Sequence, residues 1–324
     1  MKRLSLALVA ACFSWVSGAQ AIDLQFLISW DPTLTERIVI GEPFAKQVEA
    51  ASRGDMKLII RGPEAIPPFE QLQPTSAGAV QLLLTHGAYH YGTTGIGVAL
   101  DAIDGPPSKR REAGIFDAVD KHYQKLGLKL IAMPGSNTRG YHIMLREPLT
   151  ANGDLQGRKI RATPTYFPLM KLLGASTVTL PPSEIYSGLE KGVIDGTTWP
   201  STSMINTRYY EVAKFMVRPT FGNSTVLILM NLAAFNRLSD GQRKILLDEG
   251  RKIEEVYYTE FDRVSIKEEE DLKARGVRVT ELPDRIKKEL PRIWADGIWS
   301  MVLKKNPQEG EALRDLAKAK GMTR

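Results

Sequence analysis

Cysteine is all but missing from this chain: Cys12 is the single one in 324 residues. That excludes a disulfide scaffold. Neither sign of charge dominates. Lys and Arg number 43 against 37 Asp and Glu, a net +6 spread along the chain, too mild for a nucleic-acid footprint. No apolar run reaches the roughly 20 residues that span a bilayer, so a polytopic membrane protein is excluded. There is no Gly-x-Ser-x-Gly elbow and no phosphate loop. The closest approach, Gly92-Thr93-Thr94-Gly95-Ile96-Gly97, lacks the Lys-Ser/Thr ending and has the wrong glycine order for a dinucleotide fold. It reads as a flexible surface loop. What remains is ordinary globular composition, 43% hydrophobic and 25% charged, neither disordered nor collagen-like. The length exceeds the roughly 250–300 residues at which one core stops growing, so two lobes are expected.

The first 21 residues read as an address. Lys2 and Arg3 are followed by an almost wholly apolar run to Val16 and by Gly18-Ala19-Gln20-Ala21. This is the layout of a secretory signal peptide. The run is too short for a retained anchor helix. Lipid attachment at Cys12 is disfavoured, because only eleven residues precede it. Cleavage after Ala21 starts the mature chain at Ile22, removes the cysteine and lowers the charge by two, to +4. The mature protein is expected to be exported and soluble.

Strand-like and helix-like segments then alternate. Strands are expected over residues 22–30, 56–61, 80–85, 128–133, 141–146, within 155–162, over 177–180, from 193 and over 226–231. Helices are expected over 42–53, 69–77, 116–126, 167–173 and 184–190, several closed by a glycine. This rhythm argues for α/β lobes with mainly parallel sheets. Pro67-Pro68-x-Glu70 leads to Gly78-x-Val80-Gln81, and Pro181-Pro182-x-Glu184 leads at the same distance to Gly192-x-Ile194-Asp195. Each can be a βαβ unit in its own lobe, and facing lobes create a cleft. Ser239 with Gln242 forms a capping-box pattern, and helical residues run on to Arg275 before Gly276. Either one helix braces both lobes, or two helices bend at Gly250.

Four histidines are present: His86, His90, His122 and His142. His86 and His90 have helical metal-site spacing, but Gly87 lies between them and no third ligand is near, so a pocket-lining or surface role is expected and no metal. The most suggestive segment is Arg158-Lys159-Ile160-Arg161-Ala162-Thr163-Pro164. Alternation puts Lys159 and Arg161 on one strand face. An Arg at the C-terminal end of a parallel strand points into the crevice where open α/β sheets take ligands. A guanidinium there suits a carboxylate, through two parallel charge-assisted hydrogen bonds. Arg139, near the lobe crossing, is a second candidate. The bland reading of either is a surface charge.

The chain resembles the periplasmic solute-binding proteins of tripartite ATP-independent (TRAP) transporters, the DctP-type family. The resemblance rests on Leu155-x-Gly157-x-Lys159-Ile160-Arg161-Ala162, on Leu173-Gly174-Ala175, and on Pro182-x-Glu184-Ile185-Tyr186-x-Gly188-Leu189-x-x-Gly192-Val193-Ile194-Asp195-Gly196. It implies a two-lobed periplasmic binding protein fold with a long helix bridging both lobes: 22–137 plus 227–268, and 138–226 plus 269–324. It implies capture of a small organic acid, with Arg161 clamping the carboxylate and Arg139 as a second ligand-facing Arg, and delivery to TRAP membrane permease subunits. No cofactor is implied. Trp199 stands where many members carry a ligand-contacting Asn. With Trp30, Tyr89, Tyr91, Tyr166 and Phe167 it suggests an aromatic or fairly apolar carboxylate. Two alternatives stand beside this reading: an exported enzyme using Glu184 or Asp195 with His86, and the ligand-sensing partner of a signalling receptor.

Overall fold

The computed structural model describes residues 21–137 and 139–324. The expected signal peptide lies outside them but for Ala21. The chain builds β1 (Ile22–Ile28), α1 (Glu42–Ala51), β2 (Met56–Arg61), α2 (Leu72–Ser76), β3 (Leu82–His86), α3 (Ile96–Ala99), α4 (Pro107–Glu112), α5 (Ile115–Gln124) and β4 (Leu128–Ala132). It then crosses to β5 (Tyr141–Leu145), β6 (Lys159–Arg161), α6 (Phe167–Leu172), β7 (Ser176–Val178), α7 (Ile185–Glu190), β8 (Gly196–Pro200), α8 (Tyr209–Val212) and β9 (Phe215–Arg218). It returns through β10 (Val226–Asn231) and α9 (Leu232–Arg237), and ends with α10 (Asp240–Ala274), β11 (Arg278–Glu281), α11 (Asp284–Lys305) and α12 (Pro307–Ala319).

Two sheets result, ordered β2-β1-β3-β10-β4 and β11-β9-β5-β8-β6-β7. The apolar runs of β3, β5 and β10 are buried throughout, because alternate residues enter separate cores on the two faces: Leu82 and Leu84 on one side, Leu83 on the other. The sheets are mixed rather than mainly parallel. In each, a strand arriving from the other sheet inserts antiparallel: β10 between β3 and β4, and β5 between β9 and β8. Its direction follows from its entry point. Val226 pairs with His86, the last residue of β3, and Tyr141 pairs with Pro200, the last of β8. Both inserted strands therefore start at the edge between the sheets.

The two crossing connections that join strand to strand, 133–140 and 219–225, run side by side. Ser136 N–H donates to Ser224 O at 2.9 Å, Val226 N–H to Pro134 O at 2.9 Å, and Tyr141 and Phe221 exchange backbone bonds at 2.8 and 2.9 Å. This narrow ribbon is the shape of a hinge. The proline repeat has a structural counterpart. Pro68–Glu70 and Pro182–Glu184 each form one 3-10 turn before a short helix, and Gly78 and Gly192 both sit at positive φ, +85° and +71°. By contrast, the 92–97 segment is no surface loop beyond Thr93: Thr94 to Gly97 are buried.

Helix α10 is continuous over 35 residues, about 52 Å, and its Ser239–Gln242 capping box is complete. Its inward residues recur every three or four positions: Leu246, Gly250, Ile253, Tyr257, Phe261, Ser265, Glu268 and Leu272. Glu254 anchors it to the first unit, gripped by Arg111 at 2.7 and 2.8 Å and by Met133 N–H at 2.7 Å. Glu269 anchors it to the second, paired with Arg139 and with Arg218 at 2.7 Å. The helix does not bend at Gly250, which is a contact point instead. A Cβ there would lie 2.6 Å from the Ile131 carbonyl oxygen of β4. Gly250→Ala is expected to lose up to about 2 kcal/mol in urea unfolding, because overpacking against backbone exceeds the roughly 1 kcal/mol gained in helix propensity. A more stable variant would contradict this packing. The tail was expected wholly with the second lobe, but α12 packs on α5 and α3 of the first unit, while α11 touches both α3 and α6.

Candidate ligand-binding site

Strand ends converge where the sheets face each other. Trp30 lies two residues past β1, His86 closes β3, Tyr141 opens β5, Arg161 closes β6 and Trp199 lies in β8. With Glu36, Tyr89, Thr163, Tyr166 and Ser224 they leave a pocket of about 20 Å³. A larger cleft of about 470 Å³ lies behind the hinge, against Asn137, Thr220, Lys287 and Trp294. Size does not decide between the two. Among the described residues, Glu36 Oε2, Trp199 Nε1 and Ser224 Oγ in the small pocket are buried without a hydrogen-bond partner, and the large cleft has no such atom. Unmet buried polar atoms are what a ligand completes.

Arg161 is 1% exposed. Its Nε and Nη2 donate to Leu180 O at 3.0 and 2.9 Å, and Nη1 to Thr198 O at 3.3 Å. The indole of Trp199 lies 5.3 Å from the guanidinium carbon. Three of its five N–H groups are thus used, on neutral carbonyls, and no carboxylate of the described residues pairs with the buried charge. Burial pushes the Tyr89 hydroxyl up to about 12, against the pull of nearby Arg161. Lys159 shares the strand face but is exposed, because only the last residue of this three-residue strand reaches the pocket.

His86 is held in one tautomer. Its Nδ1 accepts from Ala88 N–H at 3.1 Å, so Nε2 carries the proton, 2.9 Å from Tyr141 Oη and 3.2 Å from Asp101 Oδ2. Fully buried Asp101 also accepts from Thr225 N–H at 3.1 Å and from Thr165 Oγ1 at 3.0 Å, joining the first unit, the hinge and the second unit. Glu36 is 1% exposed, and burial pushes its carboxyl up to about 7.

Of the residues expected at a site, Trp30, Tyr89, Arg161, Tyr166 and Trp199 come together. Arg139 lies outside this pocket. Its Nε donates to Ser265 at 2.9 Å and its guanidinium pairs with Glu269, because α10 presents a hydroxyl and a carboxylate to it one turn apart. Tyr91 is turned to α11, its hydroxyl on Met301 O at 3.1 Å. Phe167 packs half-buried against the core. His90 is buried against Tyr123 Oη at 2.6 Å, and burial lowers it to about 3. Glu184 is exposed, and Asp195 accepts from Lys159 N–H at 2.8 Å, so neither meets His86. Sequence reasoning missed Glu36, Tyr141, Thr163 and Ser224. Glu36 precedes Arg37 and resembles any surface ion pair, and no local pattern marks it as buried.

Residues 108–299 match the family model DctP, bacterial extracellular solute-binding protein, family 7. The chain is 22% identical over 319 residues to the 2,3-diketo-L-gulonate-binding periplasmic protein YiaO of Escherichia coli, covering 94% of both. It superposes with a TM-score of 0.80 on DctP7 of Bordetella pertussis, an extracytoplasmic solute receptor binding pyroglutamic acid, at 20% identity over 92% of this chain and 100% of that one. A TRAP periplasmic solute-binding protein of Rhodoferax ferrireducens, with bound malonate, gives 0.79 at 23% identity, covering 92% and 98%. With the family model spanning more than half of its length, the chain belongs to the DctP family of bacterial extracellular solute-binding proteins.

Proposed function

We propose that this protein is a periplasmic receptor that captures a small organic acid by its carboxylate and hands it to TRAP permease subunits. One observation carries the reading: Arg161 holds a positive charge, buried and without an anionic partner among the described residues, at the meeting point of two hinged sheets. A carboxylate entering there gains charge-assisted hydrogen bonds in a dry site and neutralises the buried cation. Trp199 Nε1 supplies a further donor and the rings of Trp30, Tyr89 and Tyr166 supply apolar walls. With walls this close, entry requires the sheets to part at the ribbon hinge and close again on the ligand.

A binding role rather than a catalytic one is supported by the separation of Glu184 and Asp195 from His86, whose ring nitrogens are both engaged. Export follows from the leader, whose cleavage mass spectrometry of the secreted protein checks. The test of capture is thermal unfolding against a panel of small carboxylates, neutral sugars and amines. A carboxylate at 100 times its Kd is expected to stabilise by about 2.7 kcal/mol, a rise of roughly 5 °C. A response to sugars or amines alone would overturn the reading.

A further inference from the structure

Glu36 is the anomaly of the pocket. Carboxyl groups are almost never fully buried without a partner, yet its Oε2 has none among the described residues. It stands at the start of the helical turn Arg37–Gly41, on the wall that follows β1, whereas Arg161 projects from β6 on the opposite wall. Its own backbone N–H and His86 favour the carboxylate and Glu268 disfavours it, while the buried Tyr89, Tyr166 and Tyr257 feel its charge. None of these satisfies Oε2. An apolar side chain of the same length would fill this space without leaving an acceptor unmet, so Glu36 destabilises the free protein, and a ligand that donates to it recovers that loss on binding. Trp199 Nε1 is the complementary case on the other wall, a donor without an acceptor. The second wall thus offers a cation and an N–H, suited to a carboxylate, and the first wall offers an acceptor.

We propose that Glu36 is a specificity residue that accepts a hydrogen bond from an N–H or O–H of the bound acid, so that the receptor selects carboxylates carrying such a donor. The inference rests on the carboxylate-capture reading and adds its second contact. A ligand with both groups bridges the walls, carboxylate on Arg161 and donor on Glu36. Its binding energy then goes into closure, which an acid lacking the donor engages from one wall only.

Calorimetry with two matched ligand pairs tests it: a 2-hydroxy acid with its deoxy analogue, and a lactam carboxylate with its carbocyclic analogue. The wild type is expected to bind the donor-bearing member of at least one pair about 10- to 100-fold more tightly. Glu36→Met should remove that preference by weakening the donor-bearing acid, with its analogue unchanged within about two-fold. Glu36→Gln, which keeps an acceptor oxygen, should retain most of the preference. Free Glu36→Met should melt at or above the wild-type temperature. Equal binding of both members of each pair by the wild type would overturn the inference. So would a preference that persists in Glu36→Met, or a variant that weakens both members alike. If the wild type binds no carboxylate at all, the capture reading falls, and this inference with it.

Discussion

Arg161→Ala is expected to raise the Kd for the captured acid by roughly 200- to 5,000-fold and to abolish the ligand-dependent rise in melting temperature. Removing one partner of a buried, hydrogen-bonded charge pair costs about 3–5 kcal/mol, because the ligand carboxylate is left desolvated and unpaired. The free variant should fold: Arg161 pairs with no carboxylate of the described residues, and its loss frees the Leu180 and Thr198 carbonyls. Arg161→Lys should recover only part of the affinity, since an ammonium lacks the planar fork. Calorimetry on all three proteins checks the series. Unchanged affinity in the Ala variant would remove the site assignment.

The second large effect concerns acid. Stability is expected to change little between pH 6.5 and 4.5 and then to fall below 4.5, by about 1.36 kcal/mol per pH unit for each proton taken up on unfolding. Burial pushes the Glu36 and Glu268 carboxyls from 4.5 up to about 7. Folded, they keep two protons that the unfolded chain has released above 4.5, so their contribution falls as pH rises through that window. Burial acts oppositely on imidazoles, lowering His90 from 6.5 to about 3 and His142 well below 6.5. Unfolded, these two bind protons that the folded chain refuses, so their contribution falls as pH drops below 6.5. Glu254, raised by burial, and His122, lowered by it, oppose each other in the same way. The two sets offset each other down to 4.5.

Below that, the unfolded carboxylates also protonate and the offset ends. Glu269 then adds to the imidazoles. Burial alone would raise it, but Lys273, Arg218 and Arg139 hold it at about 2, so its contribution is lost as pH falls. Each full proton taken up on unfolding steepens the loss by about 1.36 kcal/mol per pH unit. Urea unfolding at pH 6.5, 5.5, 4.5 and 3.5 measures the profile. His90→Gln should reduce the acid slope by about 1.36 kcal/mol per pH unit, one proton's share. A steep loss already between pH 6.5 and 5.5 would contradict the offset.

Local sequence carried a good part of the architecture. Met56–Arg61 is a strand where alternation announced it and Val226–Asn231 where an apolar run did, and the capping box at Ser239 starts α10. These signals are legible because an edge strand exposes alternate residues, because burial on both sheet faces demands a continuous apolar run, and because a helix end is closed by its own neighbours. Arg161 was legible for a related reason: the end of a parallel strand has one direction to face. The insertion of β5 and β10 was not, since strand direction depends on where the chain re-enters a sheet, a matter of partners far away in sequence.

The site divides along the same line. The sequence by itself determined an α/β chain, and a cation at a strand end suited to an anionic ligand. Only the tertiary structure decided which polar groups remain unmet. Arg139 finds Glu269, 130 residues away, and leaves the pocket, while Glu36 is enclosed with its Oε2 unmet among the described residues. Covalent neighbours set where a side chain can point. Whether its charge is met depends on distant segments that folding brings against it.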